Sequence, residues 1–158
     1  MVQVKTNAMR ILDQKKINYL MMTYESNDGK IDGISVALKI GKTTETVFKT
    51  LVCQGHSRNI YVFVIPVEAE LDLKKAAKAA NEKNVEMIHV NDILKHTGYI
   101  RGGCSPVGMK KEYKTFIHLS ALALNKIIVS GGKIGFQIEL DPKDLSKAVN
   151  AEFLDIIK

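Results

Sequence analysis

The chain has 158 residues, 46% hydrophobic and 25% charged, enough for one well-buried core and too few for two, so it reads as a single domain over residues 1–158. No apolar run approaches the roughly 20 residues of a membrane span, and residues 1–10 lack the basic-then-apolar pattern of a signal peptide, so a cytoplasmic location is expected. Two isolated cysteines and four scattered histidines argue against a disulfide framework or a metal site, while a net charge of +6 suits a polyanionic partner and equally a merely solvated basic surface.

In chain order, residues 6–16 place Ala8, Met9, Ile11 and Leu12 at helical spacing, and residues 17–24 read as a strand. Asp32 caps a helix over residues 33–40 that Gly41 ends. Residues 47–54 and 60–66 are β-rich runs separated by GHSRN, the signature of a hairpin. Asp72 opens a helix to residue 80 whose alanines share one face and whose lysines, Lys74, Lys75 and Lys78, take the other. A short strand over 85–88 and a short helix over 91–96, stopped by Gly98, follow. Residues 115–119, 126–130 and 134–140 read as strands, the last two joined across residues 131–133, and Pro142 starts a helix over 142–149. Without regular βαβ alternation, the pattern predicts an α+β fold with a mixed, barrel-like sheet and peripheral helices.

Three stretches stand out chemically. In TVFKTLV, residues 46–52, strand alternation puts Lys49 on one face with Val47, Leu51 and Cys53. Such a lysine either lays its stem on apolar surface with its amine in water, or carries a lowered pKa and awaits an anionic ligand. In GYIRGGCSPVG, residues 98–108, the glycines make either a long surface loop turning at Ser105-Pro106, or a backbone that approaches a ligand and offers N–H groups to a developing oxyanion. Gly131-Gly132 after Ser130 reads as a hairpin turn. No phosphate-cradling glycine motif, GxSxG elbow or cysteine beside a histidine is present.

Four segments, VFKTLV, LDLKKAAKA, TGYIRGGCSPVGMKK and VSGGKIGFQIEL, occur in an order and spacing that resembles the YbaK/EbsC family of Cys-tRNA(Pro) deacylases over nearly the whole chain. The resemblance implies a free-standing aminoacyl-tRNA editing domain in which the cysteinyl thiol of the substrate attacks its own ester and leaves as a thiolactone. It implies that Gly102 and Gly103 approach the aminoacyl group, that Lys49 binds near the ribose or phosphate end, and that Ser130 with Tyr24 positions the substrate. Thr50, Ser105, Pro106, Gly131, Gly132 and Gln137 join the implied substrate site. Cys53 and Cys104 are bystanders, and neither metal nor cofactor is implied. Gln137 stands where family members often carry aspartate, and a neutral amide cannot accept a proton as a carboxylate does. That departure touches any general-base role and the choice of amino acid. Arg101, Lys110, Lys111 and Lys114 would face the acceptor-stem phosphates of a proline tRNA, with Tyr113 near the terminal adenine, unless they form a solvated basic turn. Prolyl-tRNA synthetase is the partner the family implies. A non-catalytic tRNA-binding module, or an editing enzyme for another small residue such as alanine, are the alternative readings.

Overall fold

The structure, a computed structural model, describes residues 5–158; residues 1–4, part of the stretch read for a signal peptide, lie outside the described residues. Local chemistry ends most helices. Thr6 accepts from the Met9 N–H to cap α1 (Asn7–Gln14), which buries Ala8, Met9 and Leu12. Asp32 accepts from the Ser35 N–H to cap α2 (Gly33–Ile40), and Gly41 closes it at φ 70°, a left-handed backbone that costs glycine little. Asp72 accepts from two N–H groups at the start of α3 (Leu73–Ala79), Gly98 closes α4 (Val90–Thr97) at φ 83°, and Asp141 with Pro142 opens α5 (Pro142–Val149). No helix among the described residues is long and apolar enough to cross a membrane.

The strands are β1 (Leu20–Thr23), β2 (Phe48–Gly55), β3 (Ile60–Pro66), β4 (Val85–Met87), β5 (Lys114–His118), β6 (Ile127–Lys133), β7 (Phe136–Leu140) and β8 (Ala151–Leu154). They divide between a mixed five-stranded sheet, ordered β4-β2-β3-β5-β8, and an antiparallel three-stranded sheet, ordered β1-β7-β6. The mixed α+β architecture is therefore as the sequence predicts, but no closed barrel forms among the described residues. The two sheets touch through one parallel bridge, Val47 to Ile128. Central strand β3 explains its own composition: Val62 and Val64 enter the core shared with α1, β6 and α5, while Phe63 and Ile65 face the core under α3. Phe63 stacks on Phe116 there, with ring centroids 5.4 Å apart.

Two features differ from expectation. The β6–β7 turn is not at residues 131–133: β6 runs on to Lys133, and the register shift between Ser130 and Lys133 marks a bulge. Ser130 Oγ accepts from the Gly132 N–H at 3.2 Å and Gly132 takes φ 97°, so the glycines kink a strand and Gly135, at φ 96°, makes the turn. β8 was not predicted at all, because a short half-exposed AEFL carries little strand signal until β5 accepts it as a parallel neighbour.

His118, 7% exposed at the end of β5, accepts from the Ile156 N–H through Nδ1 at 3.4 Å, which requires the neutral ring. Burial lowers its pKa, opposed by Asp155 and reinforced by Lys75. The unfolded chain binds this proton near pH 6.5 and the folded chain only at lower pH, so the stability is complete above 6.5 and is lost as pH falls towards the folded pKa. We expect the melting temperature of the wild type to fall as the pH drops below about 6.5, and that of His118→Gln to fall less over the same range. Parallel pH-dependent melts of the two proteins check this.

Candidate active site

A cleft of about 810 Å³ opens where the two sheets part. β2 contributes Lys49, Thr50 and Leu51, the β6 bulge contributes Ser130, and β7 contributes Gln137. The loop after α4 supplies Arg101, Gly102 and Cys104, and the segment entering α2 supplies the opposite wall with Gly29, Ile31 and Asp32.

Several polar groups in the cleft are unspent. Lys49 is half-buried and forms no ion pair with another described residue; burial pulls its ammonium pKa below the ordinary value, with Glu70 opposing. The alternation along β2 puts Leu51 and Cys53 on its side, as expected, in the core under α3. Thr50 Oγ1 is buried with no partner among the described residues. Gln137 is 6% exposed, and its amide makes no hydrogen bond to another described residue. Gly102 sits at φ 86°, a backbone that glycine adopts without strain, and it packs closely enough on the opposite wall that an added β-carbon would stand 2.6 Å from Ile31 Cδ1. Its N–H and that of Cys104 are not taken by any other described residue.

Other residues implied by the resemblance serve the scaffold instead. Gly103 donates its N–H to the Ile100 carbonyl at 3.0 Å, and a β-carbon there would be 3.0 Å from the Ile134 N. It lets the loop lie against the β6–β7 turn and has no N–H left for a ligand. Ser105 and Pro106 are buried, with Ser105 Oγ accepting from the Val107 N–H at 3.2 Å, so they shape the loop from within. The Gly131 carbonyl accepts from Thr6 Oγ1 at 2.5 Å, and Gly132 packs under Tyr99. Tyr24 gives its N–H to the Gly135 carbonyl and is not among the cleft-lining residues, although its enclosed hydroxyl has no partner among the described residues.

Of the four cations expected to face phosphates, Arg101 alone lines the cleft. Lys110 and Lys111 are exposed, and Lys110 Nζ donates to the Lys95 carbonyl in the last turn of α4 at 3.4 Å. Lys114 pairs opposite Tyr61, whereas Lys49 pairs opposite Ile65. Four residues of strand, roughly 13 Å, separate the two positions along β3. Tyr113 is half-buried against the core and donates its hydroxyl to the His96 carbonyl at 2.6 Å. Conversely, the wall formed by Gly29, Ile31 and Asp32 was missed. The sequence marks Asp32 only as a cap, and nothing local shows that the residues before a cap will face β2. Cys104, set aside as a bystander, lines the cleft, but burial pushes its thiol up to about 11, so it is protonated at neutral pH and a poor nucleophile.

A family model for the aminoacyl-tRNA editing domain matches residues 34–148. Over 154 residues the chain is 46% identical to EbsC of Enterococcus faecalis, provisionally named a Cys-tRNA(Pro)/Cys-tRNA(Cys) deacylase, covering 98% of this chain and 94% of that protein. It is 24% identical over 136 residues to YwhH of Bacillus subtilis, an uncharacterised protein, covering 85% of each. A solved structure described provisionally as a trans-editing enzyme for prolyl-tRNA synthetase superposes with a TM-score of 0.81 over 98% of this chain and 99% of that one. At 18% identity that likeness is one of fold.

Because an unpaired half-buried ammonium and an unpartnered buried hydroxyl both cost the free protein stability, Lys49→Met and Thr50→Val should each raise the melting temperature. A gain of about 1 kcal/mol is expected for Thr50→Val, the scale of an unsatisfied buried polar group. Thermal and denaturant melts of the unliganded variants check it.

Proposed function

The chain belongs to the aminoacyl-tRNA editing domain family, and from that premise we propose that it deacylates cysteine mischarged onto proline tRNA. What carries the reading is one cleft in which the unpaired ammonium of Lys49 accompanies the unspent N–H groups of Gly102 and Cys104, while the cleft's own thiol is held protonated. Such a site orients and stabilises an ester without attacking it.

The nucleophile is then the substrate's thiol. Its sulfur bonds to the ester carbonyl carbon, the bond from that carbon to the ribose oxygen breaks, and the thiol proton ends on the departing ribose hydroxyl. The products are free tRNA and a cyclic thiolactone. Gly102 and Cys104 N–H groups receive the carbonyl oxygen as it gains charge, a contribution worth roughly 100-fold or more in rate for one such donor. Lys49 binds the ribose or adjoining phosphate, with Ser130, Thr50 and Gln137 directing hydrogen bonds to the aminoacyl group. Intramolecular attack depends chiefly on orientation, so a neutral Gln137 suffices where a water-activating mechanism would need a carboxylate. Arg101 meets the acceptor end at the rim, and Lys110 and Lys111 meet phosphates farther out, with Lys114 more distant still. The cleft reads an aminoacyl end and too little of a tRNA to select one, so prolyl-tRNA synthetase is the proposed source of tRNA selection, and the cytoplasm the proposed location.

The test is deacylation of Cys-, Ser- and Ala-tRNA(Pro) by the wild type, Lys49→Ala and Cys104→Ala, with the released amino-acid product identified by mass. Wild type and Cys104→Ala should release cysteine with thiolactone as the first product, and Lys49→Ala should lose roughly 100-fold in kcat/KM. Equal cleavage of Ser-tRNA(Pro) or Ala-tRNA(Pro) would show that water, not the substrate thiol, opens the ester. Binding without turnover would make this a tRNA-binding module, with Gln137 the residue to revert to aspartate. For the outer cations, replacing Lys110 and Lys111 together by alanine should flatten the slope of log affinity against log salt by roughly 1 to 2. An unchanged slope removes them from the interface.

A further inference from the structure

Lys39 lies on α2, is not among the cleft-lining residues, and has a fully engaged ammonium. It donates to the Glu25 carbonyl at 2.6 Å, to Asp28 Oδ1 at 2.7 Å and to the Lys30 carbonyl at 3.0 Å, with the centroid of the Tyr24 ring 5.8 Å away. Three acceptors use all three protons that an ammonium offers. The side chain is 21% exposed, unlike the loose surface pairs that contribute little.

All three acceptors sit on the segment between β1 and α2. Apart from the Tyr24 N–H to the Gly135 carbonyl where the segment leaves β1, its hydrogen bonds over residues 25–31 are otherwise local: the Asn27 amide to Glu25 Oε1, the Gly29 N–H to the Ser26 carbonyl, the Ile31 N–H to the Gly29 carbonyl and the Lys30 N–H to Asp28 Oδ1. Among the described residues, Lys39 therefore supplies every hydrogen bond that ties residues 25–31 to the rest of the molecule. That segment carries Gly29 and Ile31 into the cleft wall, and Ile31 Cδ1 closes on Gly102 so nearly that a β-carbon there would stand only 2.6 Å away.

We infer that Lys39 is a positioning residue for the deacylation proposed above, on which this inference rests. It touches no substrate. By strapping residues 25–31 it holds Ile31 against Gly102, and so fixes the backbone N–H groups that receive the carbonyl oxygen. An arginine keeps the charge and can reach the same oxygens, but its planar fork cannot direct three donors to converging acceptors as an ammonium does.

The test compares wild type, Lys39→Met, Lys39→Arg, Ile31→Ala and the Lys39→Met/Ile31→Ala pair by Cys-tRNA(Pro) deacylation and by amide hydrogen exchange over residues 25–33. Lys39→Met should lower kcat roughly tenfold, because small displacements of a reacting group are costly, with KM within about threefold because Lys49 and Arg101 remain in place. Exchange over residues 25–33 should quicken at least about tenfold. Lys39→Arg should retain more of kcat than Lys39→Met. The pair should lose no more than the worse single variant, since the two act in series, whereas a merely structural role gives losses that add. Wild-type kcat and exchange in Lys39→Met, or additive losses in the pair, overturn the inference. Should Lys39→Met not fold, Asp28→Ala removes the one side-chain acceptor; a smaller loss in the same direction supports the strap, and unchanged kcat and exchange overturn it. If the wild type itself shows no turnover, the editing reading falls separately. Exchange then decides for Lys39: faster exchange over residues 25–33 and 102–104 upholds the strap, and unchanged exchange overturns it.

Discussion

Thr46 and Val47 hold the two sheets together. The Ile128 N–H donates to the Thr46 carbonyl at 2.8 Å, the Val67 N–H donates to the Val47 carbonyl at 2.9 Å, and Val47, Val67 and Ile128 are buried beside Ala37 of α2. From this joint β2 runs into the large sheet and β6 into the small one. Their next residues, Lys49 to Leu51 and Ser130, diverge and leave the cleft between them. A single continuous sheet would have carried hydrogen bonds across this gap and turned the same side chains onto its faces. The joint also seats α2, whose Val36 and Ala37 are buried, and thereby places the outer wall. Gly33 is part of that seating, since a β-carbon there would stand 2.3 Å from Val67 Cγ1.

Within the cleft, groups that burden the free protein are the ones available to a ligand. A half-buried ammonium without a partner and a buried hydroxyl without one are both unfavourable in the unliganded chain, and sites tolerate such groups where binding satisfies them. Outside the cleft the Tyr24 and Ser120 hydroxyls are also buried without a partner among the described residues, whereas the charged groups there form closed networks. Glu82 accepts from Ser57 and Tyr61 at the far end of the β2–β3 hairpin, and Asp155 engages Lys75 beside His118. The contrast between those closed networks and the open one around Lys49 sets the cleft apart physically, more than its size does.

The glycine-rich loop divides its labour. Gly102, at positive φ, turns the backbone toward the cleft; Gly103, at ordinary φ, is small so that the loop can lie on the β6–β7 turn. Ser105 and Tyr99 secure the following residues through the Val107 N–H and carbonyl. A loop that presents N–H groups to a developing charge has to be rigid before the substrate arrives, because reorganisation during the reaction would forfeit the stabilisation. These buried contacts supply that rigidity from behind.

The resemblance of four segments to one family was legible in the sequence and held, as did the helix caps. Asp32, Asp72, Pro142 and Gly41 act where they were expected, and β3 is as apolar as a strand buried on both faces must be. The burial of Lys49 was legible too, from its apolar neighbours. Thr50, Arg101, Gly102, Ser130 and Gln137, expected beside it, share its cleft, but the rest of the cleft's lining was not legible. Gly103, Ser105 and Gly131 look like ligand-facing residues in one dimension and are scaffold in three, while Ile31 looks like nothing and forms a wall. A cap is satisfied by atoms two or three residues away, so sequence alone determines it. Ser130 is aimed by a bulge whose Gly131 carbonyl is held by Thr6, 125 residues distant, and Lys49 meets Gly102 only because two sheets part after one shared bridge. Contacts of that range depend on how strands pair across the whole chain, and only the tertiary structure decides them.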